Sequence, residues 1–304
     1  MAFLLILTTF ISLFLNPIAA LPLSIEARAV SQDLLTQLSF FEQYSAAAYC
    51  PANNSPGSST AITCEAGNCP LVQTAGAQSI VEFQNVGISD STGFVALDHT
   101  NNLIVISFRG SRSVLNFIAN LNFVLVPWSV CNGCFAHAGW LDSWSGVKSQ
   151  VQGAVDDARA TYPSYKIIAT GHSLGGALAT LAAADLRTAG YTIDLYTYGS
   201  PMVGNAALAT FVTAQTTANF RVTHAQDVVP KLPGYGFGYA HVSPEYWITS
   251  ATGAAVTPND IQVSSGVVNF KGNQGTLGNS IDDHLWYFNN ISGCGGDTLE
   301  IVKV

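Results

Sequence analysis

An α/β domain with a mostly parallel central sheet flanked by helices is the fold class this sequence predicts. Three observations lead there. Strand-like and helix-like segments alternate after residue 100. The run Leu103 to Phe108, LIVISF, is continuously apolar, the pattern of a strand covered on both faces. Gly171, Ser173 and Gly175 form a GxSxG spacing between a short β-branched run, Lys166 to Thr170, and an Ala- and Leu-rich helical segment, Leu174 to Thr188. Small residues on either side of the serine let a strand and a helix meet at a sharp turn, so Ser173 is expected at the tip of a nucleophile elbow.

The other elements follow in chain order. Val30 to Tyr49 is helical, with an apolar face at Leu34, Leu38, Phe41, Tyr44 and Ala48. Cys50 to Leu71, rich in Gly, Pro, Ser and Asn, is expected to be a surface loop. Ser79 to Asn85 and Gly93 to Asp98 are successive strands joined by a turn at Gly87 to Thr92. The LIVISF strand ends at Arg109-Gly110-Ser111. Trp140 to Thr161 is a helix leading into the strand before Ser173, and Gly190 stops the helix after it. Thr192 to Tyr198 is the next strand, Ala206 to Thr216 the next helix, and Phe220 to His224 a strand that stops at Ala225-Gln226-Asp227. With no repeat, linker or charge run to divide it, the chain is expected to hold one domain over residues 29–304.

Charged residues make up 10% of the chain and the formal net charge is −8. Nucleic acid needs a clustered basic surface, so it is excluded as a partner. The first twenty residues carry no charge, and Phe3 to Leu15 is almost wholly apolar before Ala19 and Ala20. That pattern is expected to be a secretory signal peptide cut after Ala20, with a signal anchor as the alternative, and residues 21–28 are expected to be a short propeptide ending at Arg28. No later apolar run reaches the length of a membrane helix, so the mature protein is not expected to be an integral membrane protein.

Export also suits the cysteines. Cys50, Cys64, Cys69, Cys131, Cys134 and Cys294 all follow the signal, and an even set in a secreted chain favours disulfides. Six cysteines allow fifteen pairings, so connectivity does not follow from sequence. The simplest local closures are Cys64 with Cys69 and Cys131 with Cys134, leaving Cys50 with Cys294. A zinc reading of Cys131, Cys134 and His137 lacks a fourth ligand. The sequons at Asn53 and Asn290 are expected glycosylation sites.

A serine hydroxyl needs a base within hydrogen-bond reach and a carboxylate to orient that base. Of the histidines after Ser173, His224 lies inside a strand and His241 precedes one, whereas His284 sits in a late loop, DDHLWYF, able to fold over the sheet edge. Asp227 directly follows an apolar strand and precedes the rigid turn VVPKLPG, which suits an orienting carboxylate better than Asp194, early in its strand. Charge developing on a substrate oxygen needs fixed donors. The backbone N–H of Leu174 is one, and Ser111 after LIVISF is the other, with helix capping as its alternative use. In Ser113 to Leu121, Val114, Phe117, Ile118 and Leu121 form one apolar stripe and the segment has no charge. Beside the proposed oxyanion loop, such a helix reads either as ordinary buried packing or as a lid that opens towards lipid.

The segments FRGSRS, TGHSLGGALA, YGSPMVGN, RVTHAQDVVPKLP and YAHVSPEYWI resemble the filamentous-fungal class 3 lipases over nearly all of the mature chain. The resemblance implies an α/β-hydrolase fold with a helical lid. Ser173, Asp227 and His284 would be its triad, Ser111 and Leu174 its oxyanion donors, and about Ser113 to Leu121 its lid. It implies the same disulfide pairs as the simplest closures, no cofactor or metal, and acylglycerol hydrolysis at a lipid-water interface. Two positions depart from the pattern: Met202 stands where relatives often carry Arg, and Phe117 where many carry a lid tryptophan. Feruloyl esterases among the relatives tend to have more polar lids. Hydrolysis of soluble esters, phospholipase A1 activity and non-catalytic lipid binding are the alternatives.

Overall fold

A computed structural model describes residues 29–56, 59–86 and 91–295. The expected signal peptide and propeptide, and most of the turn expected after the first strand, lie outside these residues. Among them, a single eight-stranded sheet organises the chain. Its strands are β1 (Gln78–Val86), β2 (Ser91–Asp98), β3 (Leu103–Phe108), β4 (Lys166–His172), β5 (Ile193–Tyr198), β6 (Asn219–His224), β7 (Glu245–Ile248) and β8 (Ile261–Ser264). They lie side by side in chain order. The β3 to β7 stretch is parallel throughout, and the β1, β2 and β8 pairings at the two edges are antiparallel.

Parallel neighbours require crossovers, and the helices that make them cover the faces. In β3, Ile104, Ile106 and Phe108 face a core shared with α4 (Ala138–Thr161) and α5 (Leu174–Thr188). Leu103 and Val105 face the opposite core, built on α1 (Gln32–Ala47). A strand with two apolar layers to satisfy has no polar side to show, so LIVISF reads as an unbroken run. The helix α4 buries Trp140, Trp144, Val147, Val151, Ala154, Val155 and Ala158, a spacing of three and four that keeps one stripe on the sheet. It starts two residues before the expected Trp140 because His137 serves as its cap, a role its residue type does not advertise. The short helices α2 (Pro70–Ala75), α3 (Val114–Ala119) and α6 (Ala206–Ala214) complete the set.

The segment after α1 is less of a surface loop than expected. Asn53 and Asn54 are buried, and their amides tie the loop to carbonyls of the α1 C-terminal end, Ala47 and Ala48. The Asn53 amide also exchanges bonds in both directions with the Thr63 backbone. Both Nδ2 hydrogens of Asn53 are engaged and the side chain is buried, so a sugar, which replaces one of those hydrogens, does not fit here and the expected glycan at Asn53 is corrected; Asn290 is exposed. Disulfides join Cys50 with Cys294, Cys64 with Cys69, and Cys131 with Cys134. The last of these removes the zinc set that included His137. The first spans 244 residues, and loop-closure entropy alone makes it worth roughly 5 kcal/mol. No helix among the described residues is long and apolar enough to cross a membrane.

Candidate active site

Ser173 links the end of β4 to the start of α5 with φ 56° and ψ −128°. A non-glycine residue in this region stores roughly 1–3 kcal/mol of strain. The flanking glycines show why the turn can close: a Cβ on Gly171 would stand 2.3 Å from the Gly175 carbonyl, and one on Gly175 would stand 2.1 Å from the Phe108 carbonyl oxygen. The spacing found in the sequence is therefore a packing requirement of strand against helix. Ser173 is fully buried.

The turn after β6 places Asp227 and the loop after β8 places His284, both fully buried at the carboxyl end of the parallel strands. The His284 Nδ1 donates to Asp227 Oδ2 at 2.9 Å. The other oxygen, Oδ1, accepts from the Val229 N–H at 2.8 Å. With Nδ1 protonated, Nε2 is left with a lone pair, the form a general base needs. Ser173 Oγ and His284 Nε2 are both buried without a hydrogen-bond partner among the described residues. This conformation thus holds the serine and the base sealed but not yet joined, a state common before substrate tightens a triad.

Several residues that support this pair were not recognised in the sequence. Tyr287 donates to Asp227 Oδ2 at 2.5 Å, and burial next to the Asp227 charge pushes its phenol well above the ordinary range, keeping the donor proton in place. The His172 ring lies beside His284, with centroids 4.4 Å apart and planes tilted by 32°, and accepts from the Tyr49 hydroxyl at 2.7 Å through Nδ1. Its Nε2–H donates to the His284 carbonyl at 2.9 Å. Burial, then the adjacent His284, drive its pKa well below the usual imidazole value, so the neutral form that this bonding requires is the stable one. Asn273 gives its amide to the carbonyls of Ala225 and Asp227 at 3.2 and 2.9 Å, pinning the acid's turn. The signal for Tyr287 was its place three residues after His284. The others are remote or lie in elements read as packing.

The histidines set aside in the sequence are indeed bonded to backbone. His224 faces the carbonyls of Asp283 and Ser250, and His241 that of Pro230. Met202, one of the two positions expected to depart from the family pattern, is fully buried, with its N–H donating to the Leu232 carbonyl.

Above Ser173, Ser111 follows β3, and Leu174 opens α5, where the first N–H groups lack intrahelical acceptors. The cap of α3 is Ser113, accepting from the Asn116 N–H, so the capping role once open to Ser111 belongs to its neighbour. The helix α3 is shorter than the expected segment. Val114 is buried, Phe117, Ile118 and Leu121 are half-buried, and Leu115, Asn116, Ala119 and Asn120 face solvent. A cavity of about 410 Å³ lies under it, lined by Ser111, Phe117, Leu121, His137, Trp140 and Leu174 among others.

A buried serine on a strained strand-to-helix turn, with an imidazole and carboxylate delivered by later loops, defines a serine hydrolase of the α/β type. Residues 105–237 match the family model described as Lipase (class 3), and residues 14–79 that described as Lipase 3 N-terminal region. A secreted mono- and diacylglycerol lipase A of Penicillium cyclopium is 44% identical over 289 residues, spanning 94% of each chain. A secreted mono- and diacylglycerol lipase 1 of Fusarium solani is 44% identical over 275 residues, covering 89% of this chain and 81% of its own. The crystal structure of a mono- and diacylglycerol lipase from Aspergillus oryzae superposes with a TM-score of 0.82 at 42% identity, over 87% of this chain and 99% of that one. The chain belongs to the class 3 lipases.

Proposed function

We propose that this chain is a secreted acylglycerol lipase that cleaves carboxylic ester bonds through an acyl-enzyme on Ser173. The observation that carries the reading is the buried Ser173, His284 and Asp227 set beneath an uncharged helix whose apolar side faces inward.

Ser173 Oγ attacks the ester carbonyl carbon while His284 Nε2 takes its proton, and Asp227 stabilises the imidazolium. The carbonyl electron pair moves onto oxygen, where the Leu174 N–H and Ser111 act as donors. Collapse of this intermediate expels the glyceride alkoxide, which takes the proton back from His284. Water then enters, gives a proton to His284, attacks the acyl-enzyme and releases the fatty acid as Ser173 is reprotonated. The steps balance with water as sole co-reactant and call for no metal or organic cofactor.

In this reading Val114, Phe117, Ile118 and Leu121 are the inner face of a lid that turns towards a lipid-water interface. Residues 1–20 are the signal peptide, 21–28 the propeptide, 29–304 one catalytic domain, and Asn290 the glycan acceptor. The relatives' names support secretion and point to mono- and diacylglycerols as substrates.

The test measures hydrolysis of mono-, di- and triacylglycerol emulsions, a dissolved short-chain ester and methyl ferulate, by the wild type and Ser173→Ala. Faster turnover of emulsified glycerides with an inactive variant supports the reading. A preference for methyl ferulate or the dissolved ester makes this an esterase, and an active variant removes Ser173 from the chemistry.

A further inference from the structure

One buried imidazole near the lid takes no part in the triad. His137, 3% exposed, lies between the last lid residue and the first turn of α4. Its Nδ1 accepts from the Trp140 N–H at 3.4 Å, so Nε2 carries the proton, and that Nε2–H donates to the Asn122 carbonyl at 2.6 Å. The ring lies flat on Trp140, with centroids 3.8 Å apart and planes 15° from parallel, which fixes where both nitrogens point.

Asn122 is the first residue after Leu121 of the lid stripe. Two residues further on, the Val124 carbonyl accepts from the Ala138 N–H at 2.9 Å, and Leu125 then pairs with His137 in a small antiparallel ladder. The chain is therefore held from Val124 onward by backbone bonds. Between that ladder and α3, the bond to His137 is the tie closest to the lid. Burial holds the His137 pKa below the usual value, so this donor keeps its neutral tautomer. His137 also lines the cavity beneath the lid, together with Ser111 and Leu174.

We infer that His137 is a positioning residue that sets the downstream hinge of the lid at Asn122 and holds the lid shut over Ser173 in water. The inference rests on the lipase reading above. When the tie is lost the hinge retreats from Asn122 to Phe123, whose ring packs on Phe237 with centroids 4.6 Å apart, and to the bonds at Val124, and the closed state loses one hydrogen bond.

His137→Asn isolates this role. Asparagine is a favoured helix cap, so it still accepts from the Trp140 N–H, but its shorter amide does not reach Asn122. The expected result is a rise of about two- to tenfold in kcat/KM for a dissolved short-chain ester, the range one neutral hydrogen bond supplies. The rate jump on adding an emulsion shrinks by a similar factor. His137→Gln, with a longer amide, restores part of the jump. The inference is overturned if His137→Asn leaves the ratio of emulsion to dissolved-ester rates unchanged, or lowers both rates together as a purely structural residue would. It is also overturned if the wild type shows no jump. Inactivity of the wild type on every ester, or activity of Ser173→Ala, defeats the lipase reading instead.

Discussion

Tyr287 and His284 share one oxygen of Asp227, the phenol at 2.5 Å and the imidazole Nδ1 at 2.9 Å. The carboxylate is thus aimed by two donors on one loop, three residues apart. Removing the phenol leaves Oδ2 with the imidazole as its single donor in a fully buried site. A hydrogen bond to a charged group is worth about 1.5–3 kcal/mol, so Tyr287→Phe is expected to lower kcat roughly ten- to a hundredfold. KM stays close to the wild-type value, because Tyr287 lies behind the acid and away from the cavity under the lid. An unchanged kcat in steady-state assays makes the phenol a packing group.

Gly199 lies against the same pair. Its φ is +57°, and an added Cβ would stand 2.9 Å from Asp227 Oδ2 and 3.0 Å from the His284 ring. Gly199→Ala combines backbone strain of about 1 kcal/mol with a push on the base, and displacement of a catalytic group by a fraction of an ångström is costly. Activity should fall by roughly tenfold or more while the Tm drops by only a few degrees. A variant that loses Tm and activity in step would show a folding defect alone.

What could be read from the sequence, and what could not, follows from the range of each signal. The elbow, the order of strands and helices, and the meeting of Asp227 with His284 are legible because each leaves a local mark: small residues at a forced approach, apolar runs of the right length, an acid just beyond a strand. Gly199, Asn273 and the Tyr49 to His172 pair left none, since their partners lie far away in sequence and meet only when the sheet assembles; Tyr287 left only its place three residues after His284. Asn53 failed for the opposite reason. Its sequon is a local mark, but burial against Ala47 and Thr63 overrides it.

Ser113, not Ser111, takes the capping role that the sequence left open to Ser111. Because Ser113 caps α3, Ser113→Ala should cost the lid helix about 1 kcal/mol and raise hydrolysis of a dissolved ester. If the Ser111 hydroxyl binds the oxyanion, Ser111→Ala lowers kcat about a hundredfold or more. Equal kcat for Ser111→Ala and wild type would assign the oxyanion to backbone donors alone.

Stability should pass through a maximum in pH, set by the buried imidazoles, His137 among them, on the acid side and by one buried carboxyl on the alkaline side. Burial, followed by His284 for one and Arg221 for the other, holds His172 and His241 well below the usual imidazole value, and burial holds Glu42 well above the usual carboxylate value. Below about pH 6.5 the unfolded chain protonates both imidazoles while the native state does not, so this stability is present above that pH and lost on acidification. Above about pH 4.5 the native state keeps a proton on Glu42 that the unfolded chain releases, so that stability is lost as pH rises. As pH rises the lowered imidazoles therefore add stability while the carboxyl removes it, and once the imidazoles are neutral in both states only the carboxyl still opposes folding. Urea unfolding from pH 5 to 8 at constant m measures the curve. Glu42→Gln, which keeps an acceptor for Asn289, should flatten the alkaline limb, and His241→Gln should remove about one proton from the acid limb. An alkaline limb equally steep in Glu42→Gln would mean that Glu42 is ionised in the folded protein.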